Sequence, residues 1–180
     1  MDPFAGDEAP SAQTLTVVLT GVSGAGKSTV AHELARITGW RYADGDDFHA
    51  AENIDRMSSG HPLTDADRRP WLESIARWIG AREGAGQDAI VTCSALKRRY
   101  RDLLTSGHPS VWFAVLVVDE EELRRRTANR PGHFMPAALL TSQLNDLEPL
   151  AADERGASID VAGSPDRIAE VILERLALRG

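Results

Sequence analysis

The chain has 180 residues, 42% of them hydrophobic, with 20 Lys and Arg against 27 Asp and Glu, a formal charge of −7. That length suits about one domain, and the apolar fraction allows a packed core and excludes wholesale disorder. The longest apolar run, Val111–Val118, falls far short of the ~20 residues a membrane helix needs, and the negative charge disfavours nucleic acid and anionic membranes as partners.

Residues 1–14 are small, polar and aperiodic, and are predicted to form a disordered tail ahead of one domain over 15–180. They hold no basic stretch followed by an apolar core, so no secretory leader is expected. The single cysteine, Cys93, cannot form an internal disulfide, which suits a reduced, cytoplasmic setting. Leu15–Leu19 reads as a fully buried strand. From Lys27, Val30, Leu34 and Ile37 fall on one helical face, and Gly39 is a natural stop. Trp40–Ala43 is a weak second strand, and 44–70 is mostly loop with some short helix. Arg69–Arg82 is predicted helical, with Trp71 and Ile75 facing inward and Pro70 in the first turn. Ala89–Cys93 and Val111–Val118 are further buried strands. Glu120–Asn129 and Pro136–Leu147 read as helices separated by Pro131-Gly132. Ser158–Val161 is a short fifth strand, after which Ser164 can cap a last helix with Pro165 at its first position. Strands that alternate with helices and read as unbroken apolar runs predict a parallel sheet covered on both faces.

Gly21-Val22-Ser23-Gly24-Ala25-Gly26-Lys27-Ser28 spells G-x-x-x-x-G-K-[ST] between a strand and a helix. Its glycines let successive backbone N–H groups turn toward a phosphate, and the helix dipole adds to them. The pattern arises by chance in roughly one chain in a hundred. It predicts a nucleoside triphosphate bound by Gly21, Ser23, Gly24, Ala25, Gly26, Lys27, Ser28 and Thr29, with Lys27 on the β/γ oxygens and Ser28 on Mg²⁺. No Asn-Lys pair exists to read guanine, and the third strand ends in Thr92-Cys93-Ser94 rather than in adjacent acids, so a GTPase switch or a motor ATPase is disfavoured.

Asp44-Gly45-Asp46-Asp47-Phe48-His49 follows the second strand, at the sheet edge where such folds bind ligands. A kinase needs a carboxylate to accept the proton of the attacking hydroxyl, and a second near the metal. In extended geometry Asp44 and Asp46 would point the same way.

With these residues in view, the chain resembles the gluconate kinases among the P-loop small-molecule kinases. The resemblance covers roughly 15–178. It is carried by Asp44-Gly45-Asp46 with His49, by the run from Asn53 to Leu72, by Cys93-Ser94-Ala95-Leu96-Lys97 continuing to Leu104, and by Arg130, Gly132-His133-Phe134-Met135-Pro136, Ser142-Gln143 and Leu147-Glu148-Pro149. Ala50 and Arg56 stand where proline and lysine are usual. The resemblance implies a nucleoside-monophosphate-kinase-like three-layer α/β fold with a five-stranded parallel sheet, an acceptor-binding insert at about 47–82 and a helical lid at about 120–148. It implies ATP and Mg²⁺ as cofactors, D-gluconate as the partner that receives a phosphoryl group on its 6-hydroxyl, and a homodimer. Asp46 is then the general base, Asp44 stands near Mg²⁺, and His49 meets another hydroxyl. Arg56, Lys97 and Arg101 are candidates for the gluconate carboxylate, since a guanidinium fork matches it.

The segment 97–130 carries eight basic and five acidic groups, so the remainder carries −10. Glu120-Glu121-Glu122 precede Arg124-Arg125-Arg126 at the i,i+4 spacing of surface pairs. By the same resemblance, Arg126 and Arg130 belong to a lid that covers the phosphates with His133, and Ser164 and Pro165 lie where adenine is held. Two alternatives remain open at this point. One is a sister kinase for another polyol acid such as shikimate, although Ser94-Ala95-Leu96-Lys97 lacks the glycines expected for it. The other is a nucleotide-binding module without transfer, which the Asp44/Asp46 pair disfavours.

Overall fold

A computed structural model of the chain describes residues 13–128 and 137–178. Within them β1 (Thr16–Thr20), α1 (Lys27–Thr38), β2 (Arg41–Asp44), α2 (Ala51–Ser58), α3 (Asp65–Gly84), β3 (Ala89–Thr92), α4 (Arg98–Thr105), β4 (Val111–Val117), α5 (Glu120–Ala128), α6 (Ala137–Asp146), β5 (Gly156–Asp160) and α7 (Pro165–Ala177) follow one another. The strands form one sheet in the order β2-β3-β1-β4-β5, and every pairing is parallel. Five parallel strands between helical layers are the predicted α/β fold.

Register explains why the strands read as unbroken apolar runs. Val17 lies beside Ile90 and Trp112, and Val18 beside Val91 and Phe113. Alternate side chains leave on opposite faces, and here both faces are covered. Val17, Leu19, Trp112 and Leu116 pack with Val30 and Leu34 of α1 and Ile168 and Ile172 of α7. Val18, Val91, Phe113 and Val115 pack with Trp71, Leu72, Ile75 and Ile79 of α3 and Tyr100 and Leu104 of α4.

The helices differ from expectation in two places. α3 starts at Asp65, four residues before the predicted Arg69, because Thr64 and Asp67 make a capping box. Pro70 therefore sits inside the helix, and its missing N–H forfeits only the bond to the Ala66 carbonyl, one turn from a well-held start. α4 carries no clear apolar stripe in sequence, because one of its three buried residues is Arg101. Elsewhere Gly39 ends α1 in the left-handed conformation and Pro165 opens α7, as predicted, although the Ser164 side chain makes no capping bond. Among the described residues no helix is long and apolar enough to cross a membrane.

Candidate active site

The carboxyl ends of β1, β2 and β3 lie side by side, with Asp44 in register with Thr92 and Thr92 with Leu19. Residues 21–28 turn from β1 into α1 there. Gly26 takes φ +95° at the helix entry, a conformation that costs L side chains. The resulting cleft is lined by Ser23, Gly24, Gly26, Lys27, Ser28 and Thr29 on one wall, Asp44 and Asp46 on a second, and Thr92, Cys93 and Ser94 on a third. The Lys27 ammonium donates to the carbonyls of Gly21 and Val22 at 3.0 and 3.1 Å, folded back over its own loop. The Ser23 N–H donates to Gln143 Oε1 of α6 at 2.6 Å, so a side-chain oxygen accepts from a loop amide.

The two aspartates occupy different environments. Asp44 is the last residue of β2, and the chain then enters a 3₁₀ turn at Gly45–Phe48. The backbone from Asp44 to Asp46 is thus a turn and not the extended segment that spacing suggested, although both residues line the same cleft. The turn forms there because Gly45 packs so tightly on β3 that a Cβ would lie 1.9 Å from the Thr92 carbonyl. Asp44 caps the turn, accepting from the Asp46 N–H at 3.0 Å, and also from Thr92 Oγ1 at 3.0 Å, Ser28 Oγ at 3.2 Å and the Tyr42 hydroxyl at 3.3 Å. Burial alone would raise its pKa, but these four donors outweigh burial and hold it below the ordinary carboxylate value. The Asp46 carboxylate accepts no hydrogen bond from any described residue. The surrounding protein raises its pKa while one side stays open to solvent, and the Asp44 and Asp47 charges add to the rise against the pull of Lys27. One carboxylate is pinned and ionised; the other is a stronger base with open lone pairs.

Behind the loop lies a second cleft of about 410 Å³, lined by Thr29, Val30, Arg126, Val161, Gly163, Pro165 and Ile168 together with Gly24, Ala25 and Gly26. It is more apolar than the first and large enough for a flat ring, next to a loop built to take phosphates.

The whole arrangement has relatives. A family model described as an AAA domain matches residues 17–150. The gluconokinase of Gluconobacter oxydans is 44% identical over 160 residues, which span 89% of this chain and 88% of that protein. The chain belongs to the gluconokinase family. Among solved structures, a sugar kinase from Janibacter sp. HTCC2649 superposes with a TM-score of 0.86 at 51% identity over 91% of this chain and 95% of that one. A gluconokinase from Sinorhizobium meliloti gives 0.82 at 42% identity over 93% and 95%. A P-loop chain of this gluconokinase family uses a nucleotide, and both clefts flank the loop that would hold one.

Against that family background the predicted site residues separate. Ser23, Gly24, Gly26, Lys27, Ser28, Thr29, Asp44 and Asp46 line the first cleft; Ala25, Arg126 and Pro165 line the second. Gly21 lies outside both and supplies a carbonyl to Lys27. Ser164 stands between Gly163 and Pro165 but is not among the lining residues. Arg126 Nε donates to Glu122 at 2.7 Å, and Glu122 also takes Arg125, which displaces the expected Glu121–Arg125 pair. Arg130 and His133 lie outside the described residues.

On the acceptor side, His49 stacks on Trp71 at 4.2 Å with the rings 13° apart. Burial, and then the Arg68 charge, lower its pKa to about 4, so the imidazole is neutral at pH 7. The carboxylate candidates fare differently. Arg101 is 1% exposed, and its guanidinium is used up by Glu154 and by the carbonyls of Ala95, Leu96, Glu148 and Pro149. It binds the chain to itself and is corrected to a structural residue. Lys97 pairs with Asp146 at 2.9 Å, and Arg56 with Asp67 at 3.2 Å.

Several participants were not foreseen. Thr92 and Tyr42 hold Asp44, and Trp71 Nε1–H donates to the Gly45 carbonyl at 2.6 Å and fixes the turn that carries Asp46. Gln143 is marked in the sequence only by the resemblance, and its side chain accepts from the loop amide of Ser23. One available signal marks each of the other two: Thr92 is a polar residue at the end of β3, which leads into the cleft, and Tyr42 stands two residues before Asp44 in the same strand.

Proposed function

We propose that this protein transfers the γ-phosphoryl group of ATP to the 6-hydroxyl of D-gluconate, giving ADP and 6-phospho-D-gluconate. The observation that carries the reading is the asymmetry of the two aspartates beside a phosphate loop. Asp46, with open lone pairs and a raised pKa, takes the proton from the acceptor hydroxyl as its oxygen bonds to the γ-phosphorus. The bond from that phosphorus to the β–γ bridging oxygen breaks, and ADP leaves with the electron pair. Lys27 moves from its loop carbonyls onto the β/γ oxygens, and the loop amides hold the β-phosphate.

The residues present fit a magnesium ion. Ser28 Oγ and the ionised Asp44 are hard oxygen donors 3.2 Å apart, and Mg²⁺ commonly takes one or two protein oxygens, with phosphates and waters completing its shell. Ser28 would ligate it directly and Asp44 through water. When bound, the ion neutralises charge on the β- and γ-oxygens.

Residues 47–82 form the acceptor-binding insert in this reading and 120–148 the lid, with Arg126, Arg130 and His133 closing over the phosphates. A cation there would stabilise equatorial charge in the transition state and closure would exclude water. Ser164 and Pro165 border the adenine. A cytoplasmic location and a homodimer belong to the same reading, and light scattering in solution tests the latter. The decisive experiment is ADP release from MgATP over a panel of sugar acids. D-gluconate should stimulate it; stimulation by shikimate in its place, or by no acid at all, refutes the assignment.

A further inference from the structure

We infer that Arg68 binds the carboxylate of the acceptor and selects an acidic polyol over a neutral one, an inference that rests on the acceptor being a sugar acid. Among the described residues, four candidate cations for the acceptor side are already neutralised. Arg56 pairs with Asp67, Lys97 with Asp146, Arg99 with Asp65 and Arg101 with Glu154. Arg68 has no carboxylate partner among the described residues. Its Nε donates to the Leu63 carbonyl at 3.2 Å and its guanidinium lies 5.5 Å from the centre of the Tyr100 ring. These contacts set the plane of the fork and leave both terminal nitrogens without an acceptor among the described residues. A half-buried guanidinium in that state is costly unless an anion completes it, and a planar carboxylate matches the two terminal nitrogens.

Its position agrees. Arg68 stands three residues before Trp71, and so on the same face of α3. Trp71 stacks on His49 and donates to the carbonyl of Gly45, the neighbour of Asp46. One helix face thus ties the unspent cation to the proposed base. On the ring that stacks with Trp71, the buried Nδ1 of His49 has no hydrogen-bond partner among the described residues, which leaves a polar atom for a hydroxyl. Gluconate carries its carboxylate at one end of its carbon chain, the reacting hydroxyl at the other and hydroxyls between, and this reading assigns Arg68 to the acid, His49 to a middle hydroxyl and Asp46 to the reacting one.

The test is steady-state kinetics on D-gluconate and on its neutral amide, with ATP affinity measured separately. Arg68→Gln should raise the gluconate KM roughly 10- to 100-fold, the range expected for a lost hydrogen-bonded charge, and leave ATP affinity and the amide's kcat/KM unchanged. Arg68→Lys should recover part of the preference for the acid, because it keeps the charge and loses the fork. Arg36→Ala, which removes an exposed cation paired to Glu33 on α1 and outside the insert, should change nothing. Equal losses on acid and amide, or an unchanged gluconate KM in a variant that still binds ATP, overturn the assignment. If Arg68→Gln does not fold, an Arg68→Lys enzyme with the parental acid-to-amide ratio overturns it equally. Failure of the parent to phosphorylate gluconate removes the proposed reaction itself, whereas an active parent with an indifferent Arg68→Gln removes only this role.

Discussion

Replacing Arg101 with methionine distinguishes a structural role from a substrate-binding one. The guanidinium makes six hydrogen bonds, two of them to Glu154 at 2.6 and 3.0 Å and four to backbone carbonyls at 3.0–3.3 Å. The Glu154 side chain is only 6% exposed. Methionine keeps the apolar stem but leaves that carboxylate with only the Arg98 cation, 3.8 Å away, among the described residues, and breaking a buried pair in this way costs about 3–5 kcal/mol. Against a total stability of about 5–15 kcal/mol, that is a large loss. At about 2–4 °C per kcal/mol for a chain of this size, Tm should fall by about 10 °C. Circular dichroism measures the melting, and initial rates well below the new midpoint measure the gluconate KM, which should stay within about twofold because the group does not reach the cleft. Arg101→Met with Glu154→Leu should recover much of the loss, since no charge is left buried alone. A variant with parental Tm and a strongly raised KM would refute the reasoning and return Arg101 to the substrate.

Three further outcomes are expected. Asp46→Asn should lower kcat by about 10²–10⁴-fold with ATP affinity retained, measured by ADP release and nucleotide titration; near-parental turnover removes Asp46 as base. The acid limb of the kcat/KM profile should lie above the ordinary aspartate range, because the base form of Asp46 is lost as pH falls through a raised pKa. Asp47→Asn removes a charge that raises that pKa, so the limb should move to lower pH; an upward move contradicts the assignment. Burial pushes the Cys93 thiol well above its ordinary value, so iodoacetamide at pH 8 should label it only as the protein unfolds, and labelling of the native protein at the rate of a free thiol would disprove this.

What could be read beforehand, and what could not, divides along a physical line. The phosphate loop and the covered parallel sheet were legible because each rests on a local pattern: glycines at fixed spacing, and short runs such as Thr16–Leu19 with both faces buried. The start of α3 was missed because Pro70 looked like a first-turn residue, while the signal that sets the start, Thr64 with Asp67, lies earlier. α4 was hidden by the same residue that misled the site reading, since Arg101 occupies a position where periodicity seeks a leucine. Asp44 and Asp46 were legible as a pair, but their division of labour depends on Thr92, 48 residues from Asp44, and on the fit of Gly45 against it.

The basic segment carries the deeper lesson. Its excess charge over 97–130 looked like a landing place for an anionic acceptor. Folding spends most of it. Lys97, Arg98 and Arg101 reach across to Asp146, Asp153 and Glu154, acids about 50 residues further on, and Arg124, Arg125 and Arg126 pair within α5. A count of charges cannot tell a cation that is already satisfied from one that awaits a ligand, because the distinction lies in distances between segments. By that measure the informative cation on the acceptor side is Arg68, outside the basic segment altogether, held by a carbonyl and an aromatic ring, with no acceptor for its terminal nitrogens among the described residues.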